Sequence, residues 1–373
     1  MKLFARLHSA GILRFIPSLV ICLSVLSGND LAGNQTQDSI QWYNAQQFTM
    51  LGQAWTDLAH EYDRLPAYAE AKVRPELWVL STQSSGLVVY FTSNATSIHV
   101  RWELRYNNEM SHMSATGIKG IDLYAWREGK WQFVNCGRPS GKKNESQLIS
   151  GMNSEWKEFL LYLPLYDGID SLFIGIDRES EIRSPEESKF TGKPIVFYGT
   201  SITQGGCATR PGMSYTSIIE RKLGREVINL GFSGNGRMEP ELAELMAEID
   251  AACYVIDCLP NLNSEQVIER TIPFVEFLKS IHPDIPVLLI ESAIPEKAFF
   301  NQESRNEVEA KNKNLFSSFQ QLQQQGIEQI YYVPQEKLLG YDREATVDGV
   351  HYTDLGFMRY ANRIVQYLEG ILK

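Results

Sequence analysis

Hydrophobic and polar positions follow two rhythms along this chain. In the first half, short β-branched or aromatic runs separated by turn residues recur at Leu77–Leu80, Gly86–Thr92, Ser97–Leu104, Ile121–Trp126, Trp131–Asn135, Phe159–Leu163 and Ser171–Ile176, a pattern that predicts strands. From Ile98 to Leu104 the alternation is nearly strict, so one face of that strand is expected to be buried and the other wet. Residues 37–177 therefore read as an antiparallel, jelly-roll-like β-sandwich domain.

Residues 178–193 are charged and turn-rich, with no apolar periodicity, and are expected to be a linker. Beyond Pro194 the rhythm changes. Apolar runs at Ile195–Tyr198, Glu226–Leu230, Ala252–Asp257, Val287–Ile290 and Ile330–Val333 alternate with stretches of helical length, among them Glu265–Ser280, with Ser264 as its N-cap, and Leu355–Leu368. Strands alternating with helices predict a five-stranded parallel sheet in a three-layer α/β/α domain spanning 194–373. The glutamine-rich stretch Gln320–Gln325 reads as an exposed helix end.

Lys2, Arg6 and Arg14 precede an apolar run from Phe15 to Leu26 and then small residues, so residues 1–28 are expected to be a signal peptide and the mature protein to be secreted or periplasmic. The run is broken by Pro17 and is too short to span a membrane. A lipoprotein reading centred on Cys22 meets Ile21, where such processing requires a small side chain. Removing the segment takes away three positive charges and no negative ones, moving the formal charge from −10 to −13. That balance opposes binding to nucleic acid or anionic lipid. Four cysteines remain (Cys136, Cys207, Cys253, Cys258), and their pairing is not fixed by sequence. No linear zinc-ligand spacing is present, so neither metal nor cofactor is expected.

In an open parallel sheet the chemistry belongs to loops at the carboxyl ends of the strands. After the first strand stands Gly199-Thr200-Ser201-Ile202-Thr203, where a serine opens a helix; alone it reads as an N-cap. The second strand runs into a glycine-rich loop through Gly231, Gly234 and Gly236, which matches neither a dinucleotide fingerprint nor a phosphate loop. The third ends before Asn261, and Asp348 stands three residues before His351 just ahead of the last helix. A carboxylate so placed can accept Nδ1–H and leave Nε2 as a general base.

Taken together, these elements resemble the SGNH (GDSL-type) hydrolases, whose blocks are supplied by Ser201, Gly234, Asn261 and Asp348 with His351. Two blocks depart from the family pattern, reading Gly199-Thr200-Ser201-Ile202 and Leu259-Pro260-Asn261-Leu262. The first half resembles the domain named for a G-x-D-L-Y motif, present as Gly120-Ile121-Asp122-Leu123-Tyr124.

The resemblance implies an exported bacterial serine esterase with Ser201, His351 and Asp348 as triad. The N–H groups of Ser201 and Gly234 and the amide of Asn261 would form the oxyanion hole. Substrates implied are short-chain, foremost acetyl, esters on carbohydrate, whether small molecules or polysaccharide. A lipase or phospholipase and a non-catalytic carbohydrate-binding protein are the rival classes. Within the long segment Tyr106–Gly117, His112 and Met113 are expected to wall the substrate cleft.

Overall fold

The computed structural model of the protein describes residues 39–373, and the signal segment expected at 1–28 lies outside them. Strands β1 (Ile40–Asn44), β2 (Thr49–Leu51), β3 (Val88–Ser93), β4 (Ile98–Leu104), β5 (Ile121–Arg127), β6 (Lys130–Gly137), β7 (Lys143–Ile149), β8 (Lys157–Tyr162), β9 (Ile169–Asp177) and β10 (Ile182–Arg183) build two antiparallel sheets. One runs β1-β9-β4-β7 and the other β10-β3-β8-β5-β6, with β2 beside β3. The alternation read from Ile98 to Leu104 is observed. Ile98, Val100, Trp102 and Leu104 are buried between the sheets with Phe91, Leu161 and Ile174, while the residues between them are half-exposed. β3 is buried along its whole length because Val88 and Tyr90, on its other face, pack with Tyr124, Leu160 and Tyr162. A strand covered on both faces loses the alternation that marks a half-wet one.

Leu77–Leu80, expected as a strand, belongs instead to helix α1 (Pro75–Ser81). Pro75 occupies the first helical position, where its fixed φ fits and its missing N–H costs nothing. Leu77 is fully buried with Leu65, Ala69 and Val73, and this cluster lies against Tyr198 and Leu230 of the second half of the chain. Residues 65–77 therefore leave the sandwich and complete the core of the parallel sheet. A second short helix, α2 (Ala115–Lys119), is capped by Ser114 and leads into β5. The segment expected as a linker carries β10, which pairs with Thr92 and Ser93.

The parallel sheet contains β11 (Ile195–Gly199), β12 (Val227–Gly231), β13 (Cys253–Asp257), β14 (Val287–Ile290) and β15 (Ile330–Val333), in the order β12-β11-β13-β14-β15. Helices α3 (Ser201–Gln204), α4 (Tyr215–Leu223), α5 (Pro240–Ala247), α6 (Ser264–Ile281), α7 (Gln302–Gln324) and α8 (Asp354–Ile371) follow the strands. Ile195 and Phe197 face α4 and α8, whereas Val196 and Tyr198 face α5, α6 and α7. This is the expected three-layer α/β/α arrangement, and both sheet faces are apolar because both are covered. The N-cap of α6 is Asn263 rather than Ser264, since Asn263 and Gln266 form a reciprocal capping box. The strand order reverses between β11 and β13, so the loops after these strands diverge and open a crevice at that point.

Candidate active site

β11 ends at Gly199, and Thr200 caps the single turn of α3, its hydroxyl accepting from the N–H of Ile202 at 3.2 Å. The turn stops at Gly205, whose φ of 108° is a left-handed conformation suited to glycine. Ser201 thus stands at a sharp strand-to-helix corner, with 9% of its surface exposed. A Cβ at Gly199 would lie 2.0 Å from Thr203 Oγ1 and 2.7 Å from the Asp257 carbonyl oxygen, so only glycine lets this corner sit so close to β13.

Ser201 Oγ lies 3.0 Å from His351 Nε2, and His351 Nδ1 lies 2.7 Å from Asp348 Oδ2. The three residues named from sequence are therefore joined in one hydrogen-bonded chain. Asp348 Oδ1 also accepts from the backbone N–H groups of Val350 (3.0 Å) and His351 (2.8 Å). Partial burial pushes its pKa up, but these donors and the imidazole outweigh that and hold it at about 2. It stays ionised at any pH suited to ester hydrolysis, with its charge directed at Nδ1.

Gly234 lies in the loop after β12, with a φ of +69°. The N–H groups of Asn235 and Gly236 point at one terminal atom of the Asn261 amide, at 3.1 and 3.2 Å. That atom must be the oxygen, since the reverse orientation retains only a 3.5 Å contact from Nδ2 to the Phe232 carbonyl. Asn261 is thereby tied to the Gly234 loop through its oxygen, and its NH2 is not used in that tie. Gly236 holds the same loop against β11: a Cβ there would stand 1.8 Å from the Gly199 carbonyl oxygen.

The first half of the chain reaches directly into this framework. Tyr166 donates its hydroxyl to the Ser201 carbonyl at 3.1 Å. Gln204 Nε2 donates to Gln83 Oε1 (2.5 Å) and the Leu165 carbonyl (3.1 Å), and Gln204 Oε1 accepts from the N–H of Ser233 (2.9 Å). Arg64, 2% exposed, donates to the carbonyls of Leu80, Gln83, Asn229 and Gly231 at 2.7–3.0 Å. It thereby fixes the end of β12 ahead of the glycine loop. Burial lowers its pKa to about 9, so it remains cationic at neutral pH.

The G-x-D-L-Y motif forms a second tie. Asp122, fully buried, accepts from Arg210 Nη1 (2.7 Å) and the N–H of Gly212 (2.9 Å), and the Tyr124 hydroxyl lies 2.7 Å from the same guanidinium nitrogen. Arg210 and Gly212 belong to the segment between the Ser201 turn and α4.

His112 is exposed, with its ring centroid 5.5 Å from that of His351. Met113 is 7% exposed and packs with Ile118, Leu165 and Ile202. Its side chain contributes to the core beside Gly117 of α2, where a Cβ would lie 2.9 Å from it. Cys207 is also buried there, and the donor atoms of His112, Cys207 and His351 lie within 4.8 Å of one another. No linear spacing signals this grouping. Asp257, at the end of β13, accepts from Tyr215 (2.9 Å) and Thr203 (3.3 Å), and burial raises its pKa to about 7 despite those donors. Among the described residues all four remaining cysteines are unpaired, and no helix is long and apolar enough to cross a membrane.

A three-layer sheet of this order, with the ester-hydrolase blocks at its carboxyl edge and a G-x-D-L-Y sandwich ahead of it, defines a carboxylic ester hydrolase of the SGNH type. Residues 192–369 match the GDSL-like lipase/acylhydrolase family. Residues 40–182 match the GxDLY domain, the N-terminus of SGNH-hydrolase-type esterases. The chain belongs to the GDSL-like lipase/acylhydrolase family: it is 38% identical to a Bacteroides ovatus protein described as a GDSL-like lipase, with a TM-score of 0.86 over 89% of this chain and 98% of that one. The fold is also similar to that of a salicylyl-acyltransferase from a tetracycline biosynthetic pathway (TM-score 0.71, 15% identity, 89% and 98% covered). An acetyl xylan esterase of Butyrivibrio proteoclasticus is similar in fold as well (TM-score 0.55, 11% identity, 89% and 98% covered). No curated protein matches the sequence.

Proposed function

We propose that this ester hydrolase is an exported serine esterase that removes short acyl groups, foremost acetyl, from carbohydrate. The observation that carries the reading is the unbroken chain from Ser201 Oγ through His351 to Asp348, with spacings of 3.0 and 2.7 Å. His351 Nε2 takes the serine proton as Oγ attacks the ester carbonyl, and Asp348 stabilises the imidazolium that forms. His351 then gives the proton to the departing alcohol, and a water activated by the same base hydrolyses the acyl-enzyme. Charge on the tetrahedral oxygen is met by the N–H groups of Ser201 and Gly234 and the NH2 of Asn261.

A cavity of about 190 Å³ is lined by Ile202, Pro260, Val350 and Tyr352, the chain neighbours of Ser201, Asn261 and His351, together with the polar Lys297, Glu307 and Lys311, a lining compatible with a polar, carbohydrate-like ester. The carbohydrate assignment is supported by the acidic composition, which disfavours anionic lipid, and by the acetyl xylan esterase among the similar folds. The basic and apolar character of residues 1–28 supports export. A second reading, hydrolysis of longer acyl chains, is favoured by the exposed Phe299, Phe300 and Tyr341, two of which border a neighbouring cavity of about 220 Å³.

A chain-length series of p-nitrophenyl esters run beside acetylated oligosaccharides tests both. Highest kcat/KM on acetyl esters and release of acetate from the sugars are expected. Ser201→Ala and His351→Ala should each lower kcat by roughly 10⁶-fold, as in the subtilisin series. If either variant keeps a tenth of the parent turnover, the triad is wrong; a maximum at long acyl chains would favour the lipase reading.

A further inference from the structure

We propose that His112, Cys207 and His351 form a binding site for a soft divalent cation such as Zn2+, and that its occupation switches off ester hydrolysis by engaging the imidazole nitrogen that Ser201 needs. The site itself follows from geometry; the inhibition rests on the reading of His351 as general base.

One donor atom from each of the three residues lies within 4.8 Å of the other two. A tetrahedral Zn2+ with bonds of roughly 2.0–2.3 Å holds its ligand atoms roughly 3.3–3.7 Å apart, so closure by at most roughly 1.1–1.5 Å completes the contact. Of the three ligands His112 is the exposed one, so a change of its side-chain rotamer is the least hindered way to supply that closure. His351 Nδ1 is already bonded to Asp348, which leaves Nε2 as its ligand atom. A carboxylate holding one nitrogen of a histidine while the other faces the metal is the arrangement that orients zinc-bound imidazoles in metalloproteins. The triad's own dyad thus meets the requirement for a metal ligand.

Cys207 has a fixed place in the arrangement. It sits in a left-handed conformation (φ 73°) in the turn after α3, between the bond from the Gly206 N–H to the Ser201 carbonyl (2.7 Å) and that from the Ala208 N–H to Gly205 (3.1 Å). Its Sγ lies 3.4 Å from the His112 carbonyl, so the turn and the His112 segment are already in contact through the sulfur. One thiolate with two imidazoles selects Zn2+ over Mg2+ or Ca2+, which prefer oxygen. Binding transfers the thiol proton to solvent and forms one metal–sulfur and two metal–nitrogen bonds; no electron is exchanged. His112 is exposed and His351 half-buried, so two of the three ligands border solvent while Cys207 is buried.

Co2+ titration of the full chain carrying Ser201→Ala reads binding without catalysis. A thiolate-to-cobalt charge-transfer absorption saturating at one equivalent and displaced by Zn2+ is expected. It should vanish when Cys207→Ser is added and weaken when His112→Ala is added. In the enzyme with Ser201 intact, Zn2+ should inhibit reversibly, with a chelator restoring activity. Cys207→Ser should raise the half-inhibitory concentration by about 100-fold or more, beyond the roughly 10–100-fold that losing an outer partner of a ligand costs. Thermal unfolding checks that Cys207→Ser is folded, and His112→Ala, on an exposed segment, provides an independent variant. Absence of the thiolate band in folded protein, or Zn2+ inhibition unchanged by Cys207→Ser, overturns the proposal. Full activity of Ser201→Ala would instead remove the serine-esterase reading, while the cobalt band would still decide the site.

Discussion

Asp122→Ala removes the acceptor through which the G-x-D-L-Y motif holds the segment between Ser201 and α4. Asp122 has no exposed surface and the Arg210 side chain is 20% exposed, at 2.7 Å. Burial pushes the Asp122 pKa up by more than Arg210 pulls it down, so the pair adds little over an apolar contact but is costly to break from one side. Loss of one partner of a buried pair costs roughly 3–5 kcal/mol. The low end applies here, because Arg210 keeps the Tyr124 hydroxyl at 2.7 Å and the Phe133 ring at 3.7 Å. With an unfolding entropy of roughly 0.7 kcal/mol per kelvin for a chain of this size, about 3 kcal/mol lowers Tm by about 4 °C. Differential scanning fluorimetry reads that shift, and p-nitrophenyl acetate kinetics read its effect on the neighbouring site. Asp122→Asn, which keeps one acceptor, should fall by less. Asp122→Ala with Arg210→Met should be less destabilised than the sum of the single variants, since neither group is left buried and unpaired. Strict additivity, or a Tm change below 1 °C for Asp122→Ala, would refute the idea that this pair ties the two halves together.

Three further outcomes are expected. Asn261→Ala should lower kcat roughly 10²–10³-fold with little change in KM if its NH2 meets the oxyanion; a silent substitution would place that donor elsewhere. Asp257 binds its proton more tightly when folded, with a pKa of about 7, so its stabilising contribution is complete below pH ~4 and is lost as pH rises through 7. Asp257→Asn should therefore raise Tm at pH 8 by a few degrees without raising it at pH 4, and parallel Tm–pH curves for the two proteins would exclude this. A fragment of residues 191–373 should fail to fold, because Leu65 and Leu77 no longer cover Tyr198 and Leu230; a soluble fragment with unchanged kcat/KM would contradict it.

The parallel sheet was legible because its strands are short, doubly buried apolar runs, and the five expected segments coincide with β11–β15 to within a residue. Ser201, Asn261, Asp348 and His351 could be picked out for a related reason: each stands just beyond a strand or before the last helix, where an open sheet places its chemistry. Leu77–Leu80 was misread because four apolar residues fit either periodicity, and Pro75 was the available sign of a helix start. β1 and β7 escaped because their polar residues dilute the pattern at the sheet edges. Arg64, Gln204, Tyr166 and Cys207 gave no local signal. Their partners lie 35 or more residues away for the key contacts of Arg64, Tyr166 and Cys207, and a single buried arginine or tyrosine looks in sequence like any other.

Those distant partners change what the first half of the chain is for. A sandwich that served as a separate binding module would meet the hydrolase through a modest, polar surface able to slide. Here Leu65, Ala69, Val73 and Leu77 enter the hydrolase core, Arg64 fixes the end of β12, and Tyr166 donates to the Ser201 carbonyl. Each contact restrains a backbone segment that carries Ser201 or Gly234. Misplacement by about 1 Å in such a framework costs roughly 10²-fold in rate. Support from outside matters most for α3, a single turn carrying Ser201 that is closed by the bonds from the Gln204 N–H to Thr200 and from the Gly205 N–H to Ser201. The sandwich thus braces the Ser201 corner, and if Ser201 is the nucleophile, substitutions at Arg64 or Tyr166 should lower kcat with little change in KM on p-nitrophenyl acetate.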